Sequence, residues 1–141
     1  MIDEEKPAPP PLTATLTWEG EKRFTATDGA GFSLSLNSDG NGVTPTEAAL
    51  MGVGGCMAID VLSILEKQRQ TVTSMRVEVK GDRNAEPPKY YTAIAMTFHV
   101  AGPDLHGPKI EKAIELSTEK YCSVLHTFRP DIKWDIGYEI D

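Results

Sequence analysis

The sequence of 141 residues predicts an α+β fold with one long buried helix. Three observations support this prediction. Segments typical of β-strands occur as a group of three, then as a pair, and once more at the end of the chain. A long stretch of helical pattern, whose first half is uncharged, lies between the first two groups. A second, amphipathic helical segment precedes the last strand. The predicted order is therefore β-β-β-α-β-β-α-(α)-β.

The first three strands are short and are separated by glycine-containing turns. Thr13–Trp18 alternates threonine with other residues, and the turn Glu19-Gly20-Glu21 joins it to Lys22–Thr27 in a hairpin. The turn at residues 28–31 leads to the third strand, Phe32–Leu36. Residues 37–42 (NSDGNG) form a loop, because their composition fits no regular element.

A clear helix start follows this loop. Thr44 is a suitable N-cap, Pro45 suits the first helical position, and Glu47 completes a capping box with Thr44. The helical pattern continues to about Arg69, and Ala48–Ile59 contains no charged residue. A helix that is apolar all round is a buried one.

The remainder of the chain predicts two strands, two helical segments and a closing strand. The strands are Thr71–Lys80 and Tyr90–Val100. The first helix opens at Pro108, and Cys122 lies where it ends or bends into a short segment, Ser123–Phe128. Lys133–Ile140 is the closing strand. Residues 1–11 are acidic and then proline-rich, which predicts a flexible arm followed by a single domain over residues 12–141.

Composition and charge narrow the functional classes. A formal net charge of −7, with lysines and arginines scattered along the chain, argues against nucleic-acid binding. No segment approaches the roughly 20 apolar residues that span a bilayer, so no membrane association is expected. The N-terminus lacks a secretion signal. We therefore expect a cytoplasmic protein. Because the cytoplasm is reducing, the two cysteines are expected to be free or redox-active rather than joined in a structural disulfide.

The segment around Cys56 is unusual for a helix interior. Gly52, Gly54 and Gly55 each cost roughly 1 kcal/mol relative to alanine. Either another backbone packs closely against them, or they leave space beside a reactive thiol for a substrate; the two explanations are compatible. Cys56 alone would suit a small core residue. A second cysteine, Cys122, makes a redox pair conceivable, since a sulfenic acid on one thiol is captured by another nearby.

Metal binding is the other common role of cysteine and histidine. His99, His106 and His126 show no zinc-ligand spacing with either cysteine, so no metal site is expected.

Two motifs resemble those of the OsmC/Ohr family. Residues 44–65 (TPTEAALMGVGGCMAIDVLSIL) are similar to its first cysteine motif, and residues 109–124 (KIEKAIELSTEKYCSV) to its second. The order of elements agrees from Leu12 to Ile140, and residues 58–70 resemble the less characterised OsmC-like branch. The resemblance implies antiparallel sheets packed around a long central helix, in an intertwined homodimer with active sites at the subunit interface.

The resemblance also implies a chemistry. Cys56 would attack an organic hydroperoxide, Cys122 would resolve the sulfenic acid as a disulfide, and an external dithiol, of the protein-bound lipoyl type, would reduce it without a bound cofactor. The family uses an arginine held by a glutamate to activate the attacking thiol. Arg23 best matches the arginine. Glu47 is the candidate carboxylate, displaced by one position from the family pattern and also explained by its capping role.

Several alternatives stay open. Arg23 alternates with Phe24 and could simply face water. Asp60, one helical turn after Cys56, would oppose thiolate formation. The apolar residues near Cys56 favour alkyl or fatty-acyl hydroperoxides as substrates. These residues are Leu50, Met51, Val53 and Met57. A dimeric protein that binds a small apolar ligand without catalysis, or a thiol–disulfide or sulfur-handling enzyme, would fit the same fold.

Overall fold

The computed structural model describes residues 6–141, and the contacts within the chain fall into two units, Met1–Ala48 and Ala49–Asp141. The mixed α+β architecture is as predicted. Residues 1–5 of the expected N-terminal arm lie outside the described residues. Residues 6–11 are exposed and lack regular secondary structure. A single domain over residues 12–141 stays a prediction.

The first unit contains an antiparallel three-stranded sheet in the order β1-β2-β3. Its strands are Ala14–Trp18, Arg23–Asp28 and Ser33–Asn37. Trp18 pairs with Phe24, and Phe24 pairs with Leu36, so alternation places the apolar side chains on one face. The threonines and serines between them occupy the other face. The apolar face is largely exposed in the single chain, with Trp18 at 64% and Leu34 at 56%.

Helix α1 runs from Pro45 to Lys67 and begins with the predicted capping box. The Glu47 N–H donates to Thr44 Oγ1 at 3.1 Å, and the Thr44 N–H donates to Glu47 Oε1 at 3.0 Å. The helix ends two residues before the predicted boundary. Arg69 adopts a left-handed conformation (φ 59°), and the Gln70 N–H bonds the Leu65 carbonyl, which is a Schellman motif formed without glycine.

In the single chain, one side of α1 is buried in the core. Val53, Met57, Val61 and Leu65 are inaccessible to solvent. Another side exposes Met51 (57%), Gly55, Ile59 (68%) and Leu62 (36%) at helical spacing. We call these four residues the α1 stripe. The apolar residues of α1 thus form two separate sides, one packed in the core and one exposed at the surface of the single chain.

Helix α1 also corrects the expectation about membrane-spanning segments. Its 23 residues, with a mean hydropathy of 1.9 over 18 of them, are long and apolar enough to cross a bilayer. The core helix of a globular protein passes the same test. Packing of Val53, Met57 and Val61 in the core of the second unit accounts for the apolar residues on one side of α1.

The second unit contains a three-stranded sheet in the order β4-β5-β6. Its strands are Ser74–Arg83, Tyr91–Ala101 and Lys133–Ile140. β4 and β5 are antiparallel, whereas β6 runs parallel to β5. The expected all-antiparallel arrangement is therefore wrong for this sheet. The connection from β5 to β6 is long and helical, and such crossovers join parallel strands.

The predicted break at Cys122 is present in that crossover. Helix α2 (Gly107–Leu116) continues into a single π-helical turn, Ser117–Tyr121, and α3 (Ser123–Thr127) follows. Cys122 has an extended backbone between the two and is the N-cap of α3. π-Helical turns often occur at functional sites, because the widened turn redirects the residues beside it.

The core of the second unit explains one helix glycine. A Cβ on Gly54 would lie 2.8 Å from Val79 Cγ2, whereas one on Gly52 would make an ordinary 3.9 Å contact with Val124. The close neighbour is thus a side chain of β4 rather than another backbone. Gly54 is needed for packing between α1 and the sheet.

We predict opposite effects of alanine at these two glycines. Gly54→Ala overpacks a stiff valine and should lower the free energy of unfolding by about 1–2 kcal/mol. Gly52→Ala gains helix propensity and should raise it by up to about 1 kcal/mol. Urea unfolding of both variants measures the difference. Equal free energies of unfolding for the two variants would show that the Val79 side chain moves aside for the added methyl group without destabilising the fold.

Candidate active site

Two thiols and one carboxylate converge in the second unit. The Sγ atoms of Cys56 and Cys122 and a carboxylate oxygen of Asp60 all lie within 4.8 Å of one another. Cys56 and Asp60 are one turn apart on α1, so both project from the same side of the helix. Cys122 comes from the junction after the π turn. Both cysteines are free; Cys56 is partly exposed and Cys122 is buried.

The surroundings of Cys122 favour its neutral thiol. Burial raises its pKa to about 11 from an ordinary 9.0. The Leu125 N–H, which donates to Cys122 Sγ at 3.4 Å, acts in the opposite direction. Cys56 and the charge of Asp60 raise the pKa further. At neutral pH Cys122 is therefore a protonated, shielded sulfur beside a more accessible one.

Asp60 is held in place by a residue that sequence reasoning did not identify as functional. The buried Ser117 hydroxyl donates to Asp60 Oδ2 at 2.9 Å. The Ser117 carbonyl also accepts the Cys122 N–H at 2.8 Å. Ser117 thus fixes Asp60 and Cys122 relative to each other. A hydroxyl on the otherwise apolar face of the second helical segment was the available signal.

The other glycines of the motif leave room on α1. A Cβ on Gly55 would meet nothing within 4 Å, and Gly52 is exposed one turn before Cys56. Two of the four expected apolar neighbours are unavailable to a ligand, because Val53 and Met57 are fully buried in the core. Met51 is exposed. Fewer apolar side chains around Cys56 are therefore available to a substrate than the sequence predicted.

Arg23 lies in the first unit, on β2, and its side chain is half exposed. Its guanidinium pairs with Asp39 Oδ2 at 3.5 Å and with Glu21 Oε2 at 3.8 Å. Asp39 is largely shielded and was not singled out from the sequence. The signal was its place two residues after Asn37, the cross-strand partner of Arg23. The activating role of Arg23 stays a prediction.

Glu47 lies in the first turn of α1 and closes the capping box described above. This bond accounts for an acidic residue at this position, and it leaves the second proposed role of Glu47, orienting an arginine, as a prediction.

Two donor sets in the described residues could accommodate a cation. Cys56, Asp60 and Cys122 offer the sulfur and oxygen donors that zinc accepts, although a closed structural site has four ligands. His99 lies with Glu139 and Asp141 on the β-sheet, where both acids are exposed. The hydrogen bond from Ser117 accounts for the position of Asp60 without a metal, and the expected absence of a metal stays a prediction.

The raised pKa of Cys122 predicts a loss of stability at high pH. A buried thiol stabilises the folded state below the unfolded-state pKa, and this contribution is lost as the pH rises from about 9 toward 11. We expect the reduced protein to lose about 2 kcal/mol more than Cys122→Ala over this range. Urea unfolding at pH 8 and 11 in the presence of a phosphine reductant tests this. Parallel losses would show that Cys122 ionises without a folding penalty.

The chain is similar to a known family over most of its length. The sequence model of the family described as "OsmC-like protein" matches residues 38–137. Protein YhfA of Escherichia coli is 35% identical over 131 residues, covering 92% of this chain and 98% of that protein.

Solved structures have the same fold. A hypothetical protein from Aquifex aeolicus is 31% identical, with a TM-score of 0.85 over 94% of this chain and 97% of that one. The organic hydroperoxide resistance protein OhrB of Bacillus subtilis is 16% identical, with a TM-score of 0.61 over 90% and 98%. The matched region includes both cysteines, and the chain therefore belongs to the OsmC-like protein family.

Proposed function

We propose that the protein is a thiol peroxidase that reduces organic hydroperoxides through Cys56 and Cys122. The observation that carries this proposal is the pair of free thiols within 4.8 Å, one partly exposed and one buried. A two-cysteine cycle needs this asymmetry. The accessible sulfur reacts with the peroxide, and the shielded sulfur lies close enough to form the disulfide afterwards.

The reaction has two steps. The Cys56 thiolate attacks the terminal peroxide oxygen, the O–O bond breaks, and the alkoxide leaves as an alcohol after protonation. Cys56 is then a sulfenic acid. Cys122 displaces its hydroxyl group, giving a disulfide and water. An external dithiol, which we propose to be a lipoyl group on a protein, returns the disulfide to two thiols and becomes a disulfide itself.

Organic hydroperoxides are the proposed substrates because relatives of the same fold are named for resistance to them. Within residues 49–141, the exposed Gly52 lies one helical turn before Cys56 on the same side of α1 and leaves an uncharged surface beside the thiol. An uncharged surface of this kind favours an alkyl or fatty-acyl tail over hydrogen peroxide, because burial of apolar area contributes about 25 cal/mol per Å².

A homodimer is the proposed assembly. The first unit exposes the apolar face of β1–β3, beside a cavity of about 610 Å³ lined mainly by apolar residues such as Leu16, Trp18 and Phe24. The second unit exposes the α1 stripe. Contiguous apolar surfaces of this kind mark interfaces in soluble proteins. A second copy of the chain is the occupant we propose for both.

This assembly predicts that a charge in the α1 stripe dissociates the protein. Wild type should be dimeric at micromolar concentration by light scattering, and Ile59→Asp should shift the mass toward the monomer because a buried carboxylate is unpaired there. Ile140→Asp is the matched control, since Ile140 is also exposed but lies at the end of β6. A monomeric wild type would contradict the dimer, and equal dissociation by both variants would contradict the role of the stripe.

The function itself is tested by titration of the reduced protein with cumene hydroperoxide. We expect loss of two thiols for each hydroperoxide consumed, with release of cumyl alcohol and formation of the Cys56–Cys122 disulfide. Thiols that survive excess hydroperoxide would end the peroxidase proposal. They would favour instead a protein that binds a small apolar ligand, or a thiol enzyme acting on another sulfur compound.

A further inference from the structure

The position of Asp60 conflicts with a simple account of thiol activation. Its carboxylate lies within 4.8 Å of both sulfur atoms, where a negative charge disfavours a thiolate. Nevertheless the fold holds Asp60 firmly, because the buried Ser117 hydroxyl donates to it at 2.9 Å. The same Ser117 accepts the main-chain N–H of Cys122. A carboxylate fixed against the resolving cysteine suggests a role in the second step rather than in the first.

The second step needs a proton acceptor. The sulfur that attacks a sulfenic acid must lose its proton, because the thiolate is the nucleophile. Cys122 is buried, so bulk water does not reach its proton directly. Burial also raises its pKa to about 11, and few Cys122 side chains are ionised at neutral pH.

We propose that Asp60, positioned by Ser117, is the general base that removes the Cys122 proton during disulfide formation. The inference rests on the proposed peroxidase function and deepens it. As the proton moves from Cys122 Sγ to the Asp60 carboxylate, the electron pair of the S–H bond forms the S–S bond with Cys56. The S–O bond of the sulfenic acid breaks, and the departing hydroxide takes the proton from Asp60 to leave as water. Sulfenic acid and thiol thus become disulfide and water.

The geometry permits this transfer. A separation of at most 4.8 Å is spanned by one bridging water or by a small side-chain rotation, and catalytic hydrogen bonds commonly tighten only in the reacting complex. Cys56 and Asp60 share one helix face, so the base stays beside the sulfenic acid that forms on Cys56. General-base catalysis contributes about 10²- to 10⁴-fold to rates.

The two steps can be measured separately in a single turnover. Reduced protein is mixed with one equivalent of cumene hydroperoxide in the presence of a metal chelator, and samples are quenched with an alkylating agent. Dimedone adducts on Cys56 report the sulfenic acid, and mass spectrometry reports the disulfide. For Asp60→Asn we expect the first step to be unchanged or faster, and disulfide closure to be about 100-fold slower. Ser117→Ala should slow closure by about tenfold.

The matched variants separate chemistry from structure. Asp60→Glu should recover much of the closure rate, and Glu66→Gln, which removes an exposed carboxylate from the same helix, should close like wild type. Formate should accelerate closure of Asp60→Ala in proportion to its concentration, because it replaces the missing base; a purely structural role would give no such rescue.

Two results would overturn the proposal in distinguishable ways. If Asp60→Asn formed the disulfide at the wild-type rate, or if formate failed to rescue Asp60→Ala, Asp60 would not be the base. The proposed peroxidase function would be unaffected by either result. Absence of the first oxidation step in wild type would remove the peroxidase itself.

Discussion

Cys56→Ser is expected to reduce hydroperoxide consumption to the rate of buffer alone. Among the described residues, Cys56 is the more accessible of the two thiols, and the buried Cys122 carries its proton at neutral pH. Serine is nearly isosteric with cysteine but is a far weaker nucleophile at its ordinary pKa. Alcohol release from cumene hydroperoxide, measured by chromatography, tests this directly.

Cys122→Ser is expected to behave differently. Cys56 can still attack once, so each subunit should consume a single hydroperoxide and stop as a sulfenic acid. Dimedone should then label Cys56 in high yield, and turnover with dihydrolipoamide should fall sharply. The two variants therefore distinguish an attacking thiol from a resolving one.

Three outcomes would change this assignment. Dimedone labelling of Cys122 in Cys56→Ser would reverse the two roles. Full turnover by Cys122→Ser would show that an external thiol resolves Cys56 directly. Identical inertness of both variants and of wild type, with retained ligand binding, would identify a binding protein.

The sequence predicted most local features of the fold because their causes are local. The capping box at Thr44 and Glu47 depends on two side chains three residues apart, and the structure contains both of its hydrogen bonds. The break at Cys122 was likewise predicted. The end of α1 was missed by two residues, since a Schellman motif centred on Arg69 lacks the usual glycine signal.

Features that depend on distant residues were less accessible. The parallel pairing of β6 with β5 depends on the path of a helical crossover rather than on strand composition. The pattern of α1 indicated burial without distinguishing its core side from the exposed stripe. The contact between Ser117 and Asp60 joins residues 57 positions apart. A hydroxyl on an apolar helix face marks Ser117 as unusual, but the local sequence does not identify its partner.

The candidate site was predicted in part for the same reason. Both cysteines lie in motifs that can be recognised along the chain, and the structure places their sulfur atoms together. The carboxylate beside Arg23 depends on strand register: Arg23 pairs with Asn37, and the following loop brings Asp39 to the guanidinium. Sequence alone pointed to Glu47, and Asp39 becomes a candidate only once the pairing of Arg23 with Asn37 is known.

If Arg23 activates Cys56, Arg23→Ala should slow alkylation of Cys56 by iodoacetamide at neutral pH by about tenfold, because a guanidinium beside a thiol favours its thiolate. Peroxide reduction should fall at least as much, since the same group would position the peroxide. Arg76→Ala is the control. Arg76 is also an exposed arginine, and it pairs with Glu78 on β4. Equal alkylation rates in wild type and Arg23→Ala would remove Arg23 from the site.

Two further variants test which carboxylate, if either, orients Arg23. Glu47→Gln keeps a side-chain acceptor for the Thr44 N–H, so the capping box and the stability should persist while the charge is lost. Asp39→Asn removes the charge 3.5 Å from the Arg23 guanidinium. If Glu47 orients Arg23, Glu47→Gln should lower the alkylation rate of Cys56 toward that of Arg23→Ala. A loss confined to Asp39→Asn would assign the role to Asp39 and leave Glu47 as a helix cap.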